Sequence, residues 1–241
     1  MIALSPLDEA RFGVRSAKAN DLTEACLPEV LGFCEREKVR FLIARCAASE
    51  LSLVHKLERE GFLLMDTLIH CRHNNLAALP VTPDPAGIRI RTIQAGEEGD
   101  VRDLAEEAYR DYDGHYHADP RLDRKPCREA YADWALRSCQ SRGDGGEVFV
   151  AETADGLVGF GTVHLLTPHE GEAMLSGVAV HAQGRGIYRL LMTRCMEWSR
   201  DCGAQTMLFT TQITNVAVQK VWARLGFEPV GFSYTFHRWF D

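Results

Sequence analysis

The residues best placed to do chemistry are Gln183-Gly184-Arg185-Gly186-Ile187-Tyr188, entered from Val178-Ala179-Val180. An apolar run with strand character leads in. Ile187, Leu191, Cys195, Trp198 and Cys202 then recur on one helical stripe, which Gly203 stops. Glycine tolerates positive φ and lets backbone come close to a ligand. Amide N–H groups at a helix N-terminus favour an anion, and Arg185 adds a charge. Pyrophosphate suits such a cradle, although a ligand-free turn would carry the same two glycines. A Walker loop needs GxxxxGK[ST], which is absent. A dinucleotide fingerprint needs a third glycine and normally opens its domain, whereas several strands precede this loop.

The elements that must position this loop follow from the surrounding pattern. A strand is expected at Ile88–Arg91, then a helix carrying Val101, Leu104, Ala105, Ala108 and Tyr109 with Asp100 as N-cap. Asp111 to Pro126 reads as a long polar loop. A second helix presents Tyr131, Trp134, Ala135 and Ser138, and strands are expected at Val148–Glu152, Leu157–Leu166 and Ala173–Val180. Beyond the glycine loop and its helix come a strand at Thr206–Thr211 and a helix from Asn215 burying Val218, Val221, Trp222 and Leu225. A final pair of strands is expected between Phe227 and Phe240.

Leu79 to Gly87 holds three prolines and a glycine, so neither helix nor central strand continues through it. The expected organisation is a small α/β segment over 1–80, a linker over 81–87 and a larger domain over 88–241. An ungapped echo relates the two parts. Phe41-Leu42-Ile43 falls on Thr206-Met207-Leu208, and Leu57 to Phe62 on Trp222 to Phe227. Either any β-α-β unit closes its helix with glycine in this way, or the first segment is a degenerate half copy. It has no glycine loop, so the chemistry is expected downstream.

Composition narrows the function classes. The 241-residue chain carries a formal charge of −7, which argues against a nucleic-acid partner. No apolar run is long enough to span a bilayer, and no export signal is visible at the N-terminus, so a cytoplasmic protein without a membrane partner is expected. The eight cysteines contain no CxxC pair and read as free, mostly buried thiols, with no metal site. A homodimer is left open.

The order of elements, the Q-x-x-G pattern after Val178-Ala179-Val180, and the Asn215 helix ending in Leu225-Gly226-Phe227 resemble motifs A and B of the GNAT N-acetyltransferase family. The resemblance covers about Ile88 to Asp241. It implies a GNAT acyl-CoA transferase fold preceded by a half-GNAT-like α/β segment, with acetyl-coenzyme A as co-substrate. It places the pyrophosphate on amides of Gly184 to Tyr188, the pantetheine arm along the backbone of Val178, Ala179 and Val180 beside Gln183, and Asn215 near that arm. Phe12-Gly13-Val14, the GRG loop and Thr211-Gln212…Asn215 extend the likeness to two-domain members acting on nucleotide-linked amino sugars.

On that footing the expected reaction moves acetyl to a primary amine by direct attack in a ternary complex. Another small amine, or a non-catalytic acyl-CoA sensor, are the alternatives. Two positions depart from the family pattern: Tyr188 stands where glycine or alanine is usual, and Trp222 where a tyrosine often protonates the thiolate. Indole is no acid at neutral pH, so Trp222 reads as a core aromatic and Tyr234 as the substitute acid. His164 and Glu172 are candidates for removing the amine proton. The loop containing Tyr116, His117 and Asp119 is expected at the acceptor.

Overall fold

The computed structural model describes residues 1–79 and 87–240, so all of the expected linker except Gly87 lies outside the described residues. The first segment contributes β1 (Ile2–Leu4), α1 (Pro6–Phe12), β2 (Ser16–Ala19), α2 (Leu27–Arg36), β3 (Phe41–Ala47), α3 (Leu51–Arg59) and β4 (Leu63–His73). The remainder contributes β5 (Arg89–Thr92), α4 (Glu98–Ala108), α5 (His115–Ala118), α6 (Arg124–Gln140), β6 (Gly146–Thr153), β7 (Gly156–Thr167), β8 (Glu170–Val178), α7 (Ile187–Asp201), β9 (Thr206–Gln212), α8 (Val216–Arg224) and β10 (Glu228–Trp239).

These strands form one ten-stranded sheet in the order β1-β2-β3-β10-β4-β9-β8-β7-β6-β5. The internal echo is a correspondence of structure. β1 pairs antiparallel with β2 and β2 parallel with β3; likewise β7 pairs antiparallel with β8 and β8 parallel with β9. After β3 and β9 come α3 and α8, each closed by a glycine at positive φ, Gly61 at 79° and Gly226 at 86°. The last strand of each half then crosses to the other: β10 lies against β3, and β4 against β9. Both pairings are antiparallel and bury apolar residues of both halves, which binds the first segment to the sheet that carries the glycine loop.

Several local expectations are corrected. The N-cap of α4 is Glu97, with Asp100 inside the first turn. The 111–126 stretch folds a short helix, α5, and begins α6. Of the expected inward face of α8, only Trp222 is fully buried. In place of two final strands there is a single long β10, with register shifts at Pro229/Gly231 and Thr235/Phe236 that leave Val230 on β10 and Met65 on β4 as extra residues.

Glycines set the layers. A Cβ on Gly159 would stand 3.1 Å from Ile187 and Leu191, and one on Gly161 3.2 Å from Met192, so α7 lies directly on β7. On the other face, a Cβ on Gly177 would meet Ala108 at 2.8 Å and Phe160 at 2.9 Å, which seats α4 against β8. All eight cysteines are free; six are buried, Cys26 is partly exposed and Cys202 exposed. Among the described residues there is no helix long and apolar enough to cross a membrane and no metal-binding group of side chains.

Candidate functional site

β8 and β9 pair in parallel only from Glu170/Thr206 to Ala173/Phe209. Past that point β8 stays with β7 while β9 stays with β4, and the sheet forks. A register shift between Thr162 and Val163 leaves an extra residue, Met174, on β8 where the fork opens. The amide of Ala179 bonds to the Val158 carbonyl on the β7 side. Because strand backbone alternates, the polar groups of Ser176 and Val178 face the open side of the fork, while the Val180 carbonyl, past the end of β8, accepts from the Gln183 amide.

The glycine loop lies at the mouth of this fork. Gly184 and Gly186 adopt φ of +75° and +80°, and a Cβ at either would meet nothing within 4 Å. Both glycines are therefore demanded by backbone conformation, and they front open space. Gly186 is the left-handed N-cap of α7, with no side-chain cap on the first amides of this 15-residue helix. Arg185 is exposed, and Ile187 is buried beneath β7.

Side chains already engage the open edge of β8. Tyr109 Oη donates to the Ser176 carbonyl at 2.8 Å, and Gln183 Nε2 to the Val178 carbonyl at 3.2 Å. The exposed Val180 donates its amide to Glu107 Oε1 at 3.0 Å. Asn215 caps α8, accepting from the Val218 amide and donating to Thr211 Oγ1 at 3.2 Å.

The two departures from the family pattern touch. Trp222 Nε1 donates to Tyr188 Oη at 3.0 Å. Burial pushes the Tyr188 phenol up, against the opposing influence of Trp222 and Ser176. Trp222 stacks on Phe209 at 5.1 Å and serves as a core aromatic on the α7 side of the fork.

His164 and Glu172 are cross-strand partners, Nε2 to Oε2 3.4 Å, one residue short of the fork. Burial holds the Glu172 carboxyl above its usual range, against the attraction of His164. Since Gly159 and Gly161 face α7, His164 has the opposite parity and faces the α4 and α6 layer. Tyr234 lies elsewhere. It sits on β10 between Cys46 of β3 and Thr67 of β4, packed against the first segment's core, and β4 separates its strand from β9.

The 114–121 loop divides. His117 Nδ1 accepts from the Gly114 amide and closes the start of α5. Tyr116 points into the first segment, and Asp119 toward β10. Tyr116 Oη donates to the fully buried Asp8, which also pairs with Lys18 at 2.6 Å. Asp119 accepts from Trp239 Nε1 and contacts His237 Nδ1 at 2.8 Å, while His237 Nε2 meets His115 Nδ1 at 2.9 Å. Burial, then the neighbouring His237, holds His115 well below the usual imidazole range, and burial outweighs Asp119 to lower His237 as well.

The α4 and α6 side of the fork carries residues that the sequence placed only on helix faces, Tyr109 and Tyr131, together with Tyr112, which spacing did not single out. Tyr109 stacks on Tyr131 with centroids 4.6 Å apart, and Tyr112 stands edge-on to both. Tyr109 holds Ser176 on β8, and the Tyr112 phenol is near enough to Thr211 on β9 for that side chain to oppose its upward shift, so the cluster lies between the two arms of the fork. Gln212 Nε2 donates to Asp66 Oδ2 at 3.2 Å and to the Asp113 carbonyl at 3.0 Å. Asp66 itself stands mid-strand in Leu63-Leu64-Met65-Asp66-Thr67-Leu68-Ile69, where a carboxylate among apolar neighbours was the available signal.

The comparisons agree with this geometry. The acetyltransferase (GNAT) family profile matches residues 100–227, more than half of the chain. No curated protein matches. Among solved structures, a GCN5-related N-acetyltransferase from Sphaerobacter thermophilus is similar over 99% of this chain and 76% of its own, with 15% identity and a TM-score of 0.70. A tandem GNAT protein from the clavulanic acid biosynthesis pathway is similar over 94% of this chain and 76% of its own, at 16% identity and a TM-score of 0.67. One from Kribbella flavida is similar over 92% and 80%, at 16% identity and 0.63. The tandem protein's likeness to nearly the whole chain accords with the two corresponding halves of the sheet. The chain belongs to the acetyltransferase (GNAT) family and is an acyl-CoA-dependent N-acetyltransferase.

Proposed function

We propose that the chain moves acetyl from acetyl-coenzyme A to a primary amine by direct attack within a ternary complex, the acceptor being a nucleotide-linked amino sugar. The observation that carries the donor side is the pair Gly184 and Gly186, left-handed and fronting open space at the mouth of the β8/β9 fork. Coenzyme A fits these residues. The amides from Gly184 to Tyr188 would take the pyrophosphate, and Val178 at the end of β8, with the Val180 amide just past it, would take the pantetheine arm in place of Gln183 and Glu107. Bound there, acetyl-coenzyme A supplies an acetyl thioester.

The chain's own part is to present a neutral amine and stabilise charge on the carbonyl oxygen. As the amine nitrogen bonds to the carbonyl carbon, the C–S bond breaks and coenzyme A leaves as thiolate, taking up the proton the nitrogen loses. A backbone N–H on the open edge of β8 faces the carbonyl oxygen. The His164–Glu172 pair, on the α4 and α6 face, takes the ammonium proton through water before attack. The amino-sugar acceptor rests on the resemblance of Phe12-Gly13-Val14, the GRG loop and Thr211-Gln212…Asn215 to two-domain members acting on nucleotide-linked amino sugars.

Initial rates over a matrix of acetyl-coenzyme A and amine concentrations, read as thiol release with mass analysis of the product, test this. Intersecting lines and an N-acetylated sugar nucleotide are expected. Parallel lines would refute direct attack, and acetyl-coenzyme A binding without amine-dependent thiol release would make the chain a sensor.

A further inference from the structure

Asp66 belongs to the first segment, yet β4 delivers it beside the fork. Leu68, two residues on, registers with Gln212 on the β9 arm, and the Gln212 amide ties Asp66 Oδ2 to the backbone of Asp113 at the end of the tyrosine cluster. The second carboxylate oxygen, Oδ1, is shielded from solvent and has no hydrogen-bond partner among the described residues. A buried acceptor left unmatched costs about 1–3 kcal/mol, more for a charged group. Such a cost is offset when a ligand supplies the missing donor.

The surroundings specify that ligand's chemistry. Burial first, then the neighbouring Tyr112, Tyr109 and Tyr116, and last the Asp66 charge, push the Tyr131 phenol far up; burial likewise raises Tyr112, to about 12. All three tyrosines are therefore neutral at physiological pH, and they present π-systems that attract cations. A carboxylate with a free oxygen beside neutral aromatic rings suits the primary ammonium group of an amine substrate.

We infer that Asp66, with the Tyr109–Tyr112–Tyr131 cluster, forms the recognition site for the acceptor as a cationic primary amine, so that the first segment selects the substrate of the second. This rests on the acetyl-transfer reading only for the fate of the bound amine. The ammonium would donate to Oδ1 and lie against the rings, whose Tyr109 reaches Ser176 on the open edge of β8, so that its nitrogen would approach that edge once deprotonated.

The test titrates the full chain and its Asp66→Asn variant with 1,4-diaminobutane and with uncharged 1,4-butanediol by calorimetry, then measures KM and kcat for the best amine of a panel. Asparagine is nearly isosteric and still accepts from Gln212; Asp66→Ser repeats the series should the first variant fail to fold. The wild type should bind the diamine at least tenfold tighter than the variant, with no such difference for the diol. Acetyl-coenzyme A affinity should stay within twofold, and KM for the amine should rise at least tenfold with kcat within threefold. Equal diamine affinity for both proteins, including none for either, overturns the inference. So does a loss of acetyl-coenzyme A binding in both variants, which marks Asp66 as structural. A charge-dependent diamine site without thiol release toward any amine leaves the inference standing and removes the acetyl-transfer reading.

Discussion

Replacing Gly186 separates what the loop does for the fold from what it does for a ligand. Gly186 sits at φ +80° with no atom within 4 Å of a built Cβ, so a side chain meets strain and no clash. Placing a non-glycine residue in the left-handed region costs about 1–2 kcal/mol. In Gly186→Ala that whole cost should appear as a Tm lowered by roughly 2–8 °C for a chain of this size. Aspartate suffers the same strain, tempered by its tolerance of this region, and gains about 0.3–1 kcal/mol from its charge at the helix N-terminus. The unliganded Gly186→Asp protein should therefore melt at or above the alanine variant. Its carboxylate would nonetheless stand about 5 Å from a pyrophosphate on the same amides, where one pair of like charges costs about 3 kcal/mol at an effective dielectric of 20. That is a loss of at least a hundredfold in coenzyme A affinity by calorimetry, against a few-fold for alanine. Aspartate and alanine variants that bind coenzyme A equally well would refute the cradle.

Three further outcomes follow from the geometry. Glu107 and the pantetheine arm compete for the Val180 amide, so Glu107→Ala should tighten acetyl-coenzyme A binding by about fivefold, one hydrogen bond's worth; weaker binding would show that Glu107 supports the site. A Cβ at Gly177 would press on Ala108 and Phe160, so Gly177→Ala should cost about 1–3 kcal/mol by chemical denaturation, and a neutral result would mean α4 is free to shift. His115 and His237 are held neutral by burial, so the unfolded chain binds more protons than the native one below its histidine pKa of about 6.5. Stability should be fully present above that pH and fall as pH drops through it, by up to about 1.4 kcal/mol per pH unit for each histidine. An unchanged slope in His115→Asn between pH 6.5 and 5 would contradict that assignment.

Local signals survived into the structure and non-local ones did not. The loop from Gln183 to Tyr188 was legible because positive φ, a helix start and an apolar stripe are all written within twenty residues. The echo of Phe41–Phe62 on Thr206–Phe227 was legible for the same reason, since each β-α-β unit is local. The exchange that sets β10 against β3 and β4 against β9 was not, because pairing partners that far apart leave no mark on periodicity. That exchange carries Tyr234 away from the fork and brings Asp66 to it. Tyr116 and Asp119 looked like acceptor ligands in a polar loop, yet Asp8, Lys18 and His237 draw them inward to satisfy buried charges. Tyr188 and Trp222, two separate oddities in the sequence, proved to be one contact across the α7 side of the fork.

The central claim is that acetyl-coenzyme A is held by the loop at the mouth of the β8/β9 fork. Amide hydrogen exchange of the full chain, with and without saturating acetyl-coenzyme A, tests it most directly. Slowed exchange concentrated at Val178 to Tyr188, with the amides of β1 to β3 unchanged, is the predicted result. Saturable binding that leaves Gly184 to Tyr188 exchanging at the unliganded rate would contradict it.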